Sequence, residues 1–176
     1  MPYRVIGGTS FFERKEVADA LAYLRAVHNP ADEIAIRRII NYPTRGIGRT
    51  TVLRIAETAQ ERGIAFVDAL ADPDVQGQLG TAQAEAIRSF LEMMESAREE
   101  LRAAEQEAAL EAPMGGQPPI ARWAEAFLWR VGLEEAIRAD PRSARSADAR
   151  VDNIRDLIGT IARFERKTWA GAGGQD

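Results

Sequence analysis

This chain of 176 residues has no cysteine. That excludes a disulfide framework and a thiolate metal site, and it fits a reducing cytosol. Its one histidine, His28, closes an apolar stripe with no second His or Cys to share a metal, so it is read as structural. No apolar run approaches the roughly 20 residues that span a bilayer, so no membrane partner is expected. The opening MPYRVIGGTSFF has neither the basic start nor the long apolar stretch of a signal peptide. Catalytic groups are equally scarce. The serines have no neighbouring base, and the carboxylates lie beside arginines at the three- and four-residue spacing of solvated helix faces. The Gly-x-x-x-x-Gly-Lys-Ser/Thr loop that cradles nucleotide phosphates is missing. What remains is an ordinary globular composition, 45% apolar, in a length that suits one domain or one domain and a loose tail.

The formal net charge of -4 argues against a uniformly basic nucleic-acid binder. The distribution says more. Residues 36–66 carry Arg37, Arg38, Arg45, Arg49, Arg54 and Arg62 against only Glu57 and Glu61. Residues 85–111 reverse this, with eight glutamates against Arg88, Arg98 and Arg102. One region is suited to meeting phosphates, and another repels them.

Apolar periodicity predicts a mostly helical chain. Tyr3 to Ile6 reads as a short extended piece before Gly7-Gly8. A first helix from about Glu13 places Val17, Leu21, Leu24 and His28 on one face, with Ala20 and Val27 beside them, and stops at Asn29-Pro30. Asp32 opens a second, Glu33 to Ile40, with Ile36, Ile39 and Ile40 inward. A third runs from about Thr51 to Arg62, capped by Thr50 or Thr51 and ended by Gly63. AFVDAL is a helical turn, and ADPDVQGQLG reads as loop. The longest helix spans about Thr81 to Ala109, with Ala84, Ile87, Leu91, Met94 and Leu101 inward. After the turn-rich EAPMGGQPPI come helices near Ile120 to Val131 and Leu133 to Ala139. A last helix covers about Ala149 to Glu165, and AGAGGQD reads as a flexible end. Trp123 and Trp129 are expected in the core. The fold class is all-α, an orthogonal helical cluster with a short extended N-terminal segment.

One loop stands above this background. In INYPTRGIGRTTVLRIAE the helical pattern breaks at Pro43 to Gly48 and then resumes. Two readings stand. The loop is either a tight interhelical turn with Ile47 as a core plug, or an anion site in which amides at a helix start and the flanking arginines face a phosphate. Neither amides nor phosphate-facing arginines read bases, so binding of the second kind is sequence-tolerant.

The first 60 or so residues carry a resemblance. The Gly-Gly-x-x-Phe-Phe segment, the EVADALAYLR stretch, the Asn-Pro-x-Asp turn and the PTRGIG loop, in this order and spacing, resemble the middle of UvrD/Rep/PcrA-type superfamily 1 DNA helicases. ARVDNIRDLIGTIARFE resembles a later helix of the same region more weakly. The resemblance implies a portion of a longer ATP-dependent 3'-to-5' helicase. Residues 1–12 would end motor subdomain 2A, residues 13–168 would form the helical accessory subdomain 2B, and residues 169–176 a flexible tail. It implies duplex-DNA contact through Thr44, Arg45, Gly46, Ile47, Gly48, Arg49 and Thr50. Arg49 stands where the family pattern suggests an acidic or neutral residue, which strengthens phosphate attraction. Arg14 and Lys15 match a basic patch near the 2A/2B junction. No cofactor is expected in this chain, and ATP and Mg belong to the motor of the whole helicase. Expected partners are duplex DNA, the motor subdomains, and repair or replication proteins, in a cytoplasmic, nucleoid-associated setting. The alternative is a protein-interaction or autoinhibitory module built on the acidic helix.

Overall fold

In the computed structural model, residues 9–110, 116–141 and 144–172 are described. They form helices α1 (Thr9–Phe12), α2 (Lys15–His28), α3 (Glu33–Ile39), α4 (Arg49–Arg62), α5 (Phe66–Ala71), α6 (Pro73–Gly77), α7 (Thr81–Leu110), α8 (Pro119–Arg130), α9 (Leu133–Ala139) and α10 (Ala147–Ala172). A single 3₁₀ turn, Ala144–Ser146, precedes α10. Among the described residues there is no strand, so the fold is all-α as expected. The extended piece expected at Tyr3 to Ile6 lies outside the described residues.

The chain divides into two compact units, one of residues 22–98 and one of residues 1–21 with 99–176. In the first unit the core is aliphatic and aromatic: Tyr23, Ile39, Ile40, Ile47, Ile55, Leu70, Ile87 and Phe90 are fully buried. Each such side chain contributes about 1.5–3 kcal/mol on burial, before the entropy of ordering is set against it. In the second unit α8, α9 and α10 supply Phe127, Leu128, Leu133, Ile137, Val151 and Ile154. Trp123 is buried there with its ring stacked on Phe127 at 5.6 Å, and Trp129 is half-buried.

Several boundaries and faces differ from the sequence expectation. The buried face of α2 contains Glu16, Val17, Asp19, Ala20, Tyr23 and Val27, while Leu21 and Leu24 are half-buried and His28 is exposed. The stripe rotates because both acids have partners. Glu16 accepts from Asn153 at 2.7 Å and Arg150 at 3.1 Å, and Asp19 accepts from Lys15 at 2.8 Å. Burial alone would raise the Glu16 carboxyl. Hydrogen bonds from its own backbone amide, Asn153 and Arg150, with the Arg150 charge, outweigh that and hold it below the usual glutamate value. In α7, Phe90 and Ala97 join the buried face, whereas Ala84 and Leu91 are only half-buried.

The stretch read as loop, ADPDVQGQLG, holds α6. The Asp72 side chain accepts from the amides of Asp74 and Val75, and Pro73 takes the first helical position. Pro after Asp starts a helix here instead of breaking one, because that position needs no amide donor. At the other end of the chain α10 continues to Ala172. It takes in Trp169, whose indole N–H donates to the Ala108 carbonyl at 2.8 Å.

Candidate nucleic-acid interface

Helix α3 is opened by Asp32, whose side chain accepts from the Ala35 amide at 3.0 Å. It ends at Ile39, and α4 begins ten residues later at Arg49. The connection curls around one side chain. The Asn41 Oδ1 accepts from the amides of both Arg45 (2.9 Å) and Ile47 (3.1 Å). The Tyr42-Pro43 peptide is cis. Gly46 sits at φ +79°, the left-handed region that favours glycine.

From Thr44 to Gly48 the side chains alternate out and in. Thr44, Gly46 and Gly48 are exposed, Ile47 is fully buried, and Arg45 is half-buried. The Arg45 guanidinium turns into the protein. One of its terminal nitrogens donates to the carbonyls of Ile39 (3.1 Å) and Pro43 (3.2 Å), and the other to the Tyr23 hydroxyl (2.6 Å). The Tyr23 hydroxyl in turn donates to the Tyr42 carbonyl at 2.7 Å. The guanidinium carbon lies 5.7 Å from both the Tyr23 and the Phe90 ring centroids.

The outer side is different. Helix α4 starts two residues earlier than the Thr51 read from the sequence. Its N-cap is Gly48, in extended backbone, with no side-chain cap hydrogen bond, so neither Thr50 nor Thr51 acts as the cap. The Gly48 carbonyl accepts the first helical bond, from Val52 at 3.1 Å. The amides of the first turn point out of the helix end with the positive end of its dipole behind them. Gly48 has an ordinary φ of -69°, and a Cβ added there would meet nothing within 4 Å. Nothing within the chain therefore demands glycine at this position. Arg49 and Thr50 are exposed, as is Arg54 one turn on, and among the described residues neither arginine pairs with an acid. Arg37, by contrast, is held by Glu33 and lies 4.8 Å from the Phe66 ring centroid.

Of the seven residues singled out in the loop, the structure gathers all into one turn and splits them by role. Thr44, Gly46, Gly48, Arg49 and Thr50 face solvent, while Arg45 and Ile47 face the core. The two other candidates lie elsewhere. Arg14 donates to Asn153 and stacks on Phe11, and Lys15 pairs with Asp19. Sequence reasoning missed Asn41, Tyr23 and Phe90. The signal for Asn41 was present: an Asn a few residues before a Gly-containing turn is a common acceptor for turn amides. Tyr23 and Phe90 lie far from the loop in sequence and carried no such signal.

The loop thus sits on an all-helical scaffold, with Arg45 and Ile47 held inward and Gly48, Arg49 and Thr50 exposed at the start of α4. Comparison with known proteins gives this helical scaffold a family. Residues 1–170 match the UvrD-like helicase C-terminal domain, and the chain belongs to that family. It is 34% identical over 183 residues to the ATP-dependent DNA helicase UvrD1 of Mycobacterium tuberculosis (strain ATCC 25618 / H37Rv), covering 100% of this chain and 21% of that protein. It is 33% identical over 166 residues to the ATP-dependent DNA helicase PcrA of Bacillus subtilis (strain 168), covering 94% of this chain and 20% of that protein. It is 38% identical over 100 residues to DNA helicase II of Escherichia coli (strain K12), covering 57% of this chain and 14% of that protein. The chain thus spans about a fifth of the length of the first two of these relatives.

Proposed function

We propose that this chain is the duplex-DNA-binding, regulatory 2B region of an ATP-dependent 3'-to-5' DNA helicase acting in repair or replication. Residues 1–12 belong to the end of motor subdomain 2A, with Arg14 and Lys15 at the junction. The single observation that carries the reading is the open start of α4: an uncapped helix end, preceded by a glycine that the fold itself does not need, beside an unpaired Arg49. A glycine with free space and ordinary torsions is explained by a partner that comes close to the backbone. A phosphate seated there accepts from the first-turn amides and gains the charge of Arg49. Thr44 and Thr50 add hydroxyls at the same surface. The contact reads backbone and not sequence.

The sequence has no nucleotide-cradling loop, so ATP and Mg are assigned to the remaining length of such helicases, together with the hydrolysis. The setting is cytoplasmic and nucleoid-associated, and among the described residues no helix is long and apolar enough to cross a membrane. The test is a titration of this chain with two unrelated duplexes at several salt concentrations. Affinity at the weak end of about 10⁻⁴ to 10⁻⁶ M at physiological salt is expected, equal on both duplexes and falling with salt. Absence of salt-dependent binding contradicts the reading.

A second reading, a protein-interaction or autoinhibitory module, is favoured by a different feature. An apolar cleft of about 370 Å³ lies among Ala26, Ile36, Leu70, Phe90 and Met94, and Glu92, Glu95 and Arg98 also line it. Binding of a basic, apolar peptide there that leaves duplex affinity unchanged would support both roles side by side.

A further inference from the structure

We infer that Arg45 is a positioning residue of the duplex-binding loop and not one of its phosphate ligands, and that it acts with Tyr23 and Asn41. The inference rests on the proposed duplex contact for its consequence, but its geometry stands apart from it. A basic residue beside two glycines in a basic segment invites a phosphate role. The structure assigns the charge otherwise. Three of its hydrogen bonds go to acceptors within the protein: the Ile39 carbonyl, the Pro43 carbonyl and the Tyr23 hydroxyl, at 3.1, 3.2 and 2.6 Å. Two of those acceptors come from backbone on either side of Asn41, and the third from α2. The guanidinium plane therefore ties the end of α3, the loop and α2 together at one point. Asn41 closes the same turn from within by taking the amides of Arg45 and Ile47 on one oxygen. Tyr23 is fully buried, so it has no route to DNA.

The alternation along the loop gives this arrangement its purpose. With Arg45 and Ile47 anchored inward, Thr44, Gly46 and Gly48 are forced outward, and the start of α4 follows at a fixed angle. A site made of backbone amides has no side chains to adjust, so its affinity depends on the loop being held in the binding geometry before the phosphate arrives. Lysine cannot replace arginine in this task. Its compact ammonium cannot span acceptors on three segments as a planar fork does. At a phosphate contact, by contrast, lysine keeps the charge.

The experiment compares wild-type chain with Arg45→Lys, Arg45→Ala, Tyr23→Phe and Arg49→Ala. Duplex affinity is measured against salt, and amide hydrogen exchange is measured in the free chain. Circular dichroism selects the temperature at which every variant is fully folded. Expected results are faster exchange at the Arg45 and Ile47 amides in both Arg45 variants. Their affinity should fall by about five- to tenfold, the scale of re-ordering a few loop torsions, with the salt slope of wild type. Tyr23→Phe should show a smaller loss of the same kind. Two results overturn the inference. One is loop exchange unchanged in the Arg45 variants, whether or not DNA binds. The other is Arg45→Lys binding like wild type while Arg45→Ala loses about one unit of salt slope, the mark of a phosphate ligand. If exchange accelerates but neither wild type nor Arg49→Ala shows salt-dependent binding, Arg45 still positions the loop and the duplex reading is what fails.

Discussion

Helix α8 begins at Pro119 and α4 at Arg49, and at neither does the residue just before supply a side-chain cap. At α8 the missing cap is made good from 45 residues away. The buried carboxylate of Glu165, on α10, accepts from the amides of Ile120 and Ala121, both at 3.1 Å. At α4 no side-chain cap meets the helix start, which follows a glycine and opens on exposed Arg49, an arginine with no acid partner among the described residues. The chemistry of the two helix ends is the same, an array of orphan donors at the positive end of a dipole. Burial separates them. Donors buried with no acceptor cost about 1–3 kcal/mol each, so the packing of α8 against α10 is weakened without Glu165. Exposed donors are satisfied by water, and water is displaced by a phosphate. One end is closed within the fold, and the other is the end proposed above to receive a phosphate.

The largest expected effect breaks the closed end. Glu165→Ala should lower stability by about 2 kcal/mol, since it removes two charge-assisted bonds and leaves two buried amides unpaired. Urea denaturation reads this directly. The folded fraction should bind duplex DNA as wild type does, because the open end of α4 is untouched.

At the open end the balance reverses. Arg49→Ala should change stability by less than about 0.5 kcal/mol, as an exposed residue with no ion-pair partner. Its duplex affinity should fall several-fold, with a salt slope lower by about one, as for loss of one phosphate contact. Unchanged slope would remove Arg49 from the interface.

A smaller effect sharpens the view of the unit that holds α8 and α10. Glu16 is buried there with Arg150 and Asn153, and its carboxyl sits below the ordinary value of 4.5. A lowered folded value means that the unfolded chain takes up a proton first as the solution is acidified. The stabilisation is therefore complete above about pH 4.5 and is lost as pH falls through the lowered folded value. Glu16→Gln should flatten the dependence of the denaturation midpoint on pH in that acid range and leave it unchanged near neutrality. An equally steep acid limb in the variant would show that other carboxylates govern it.

These contrasts also show what could be read from the chain alone. Helices α3, α7 and α9 were legible in place and extent from three- and four-residue periodicity, although the buried face of α7 takes in Phe90 and Ala97. The Gly63 stop was legible because φ there is +64°, a conformation that glycine tolerates without strain. The loop at Pro43 to Gly48 was legible as a special turn, and its family resemblance is matched across residues 1–170. The direction of Arg45 was not. It depends on Tyr23 and Phe90, 22 residues before it and 45 after, and no spacing rule connects them. The rotated face of α2 was hidden for the same reason, because Glu16 is welcome in the core only through Arg150 and Asn153. The remote cap of Glu165 had no local signature either. Pro118-Pro119 marked a helix start, and nothing nearby marked its acceptor.

The central claim is that the start of α4 stays uncapped so that a phosphate can use it. Gly48→Asp, with Gly48→Ser as its neutral companion, tests this most directly. Each new side chain has open space around it and supplies the cap that the helix lacks, so stability should hold or rise by a few tenths of a kcal/mol. The same side chain occupies the amides and blocks close approach of a phosphate. Both variants should therefore lose duplex affinity while their urea midpoints hold or rise, with Asp losing more because it adds a negative charge. If both bind duplex DNA as tightly as wild type, with the wild-type salt slope, the open helix end is not a phosphate seat and the loop is an interhelical turn.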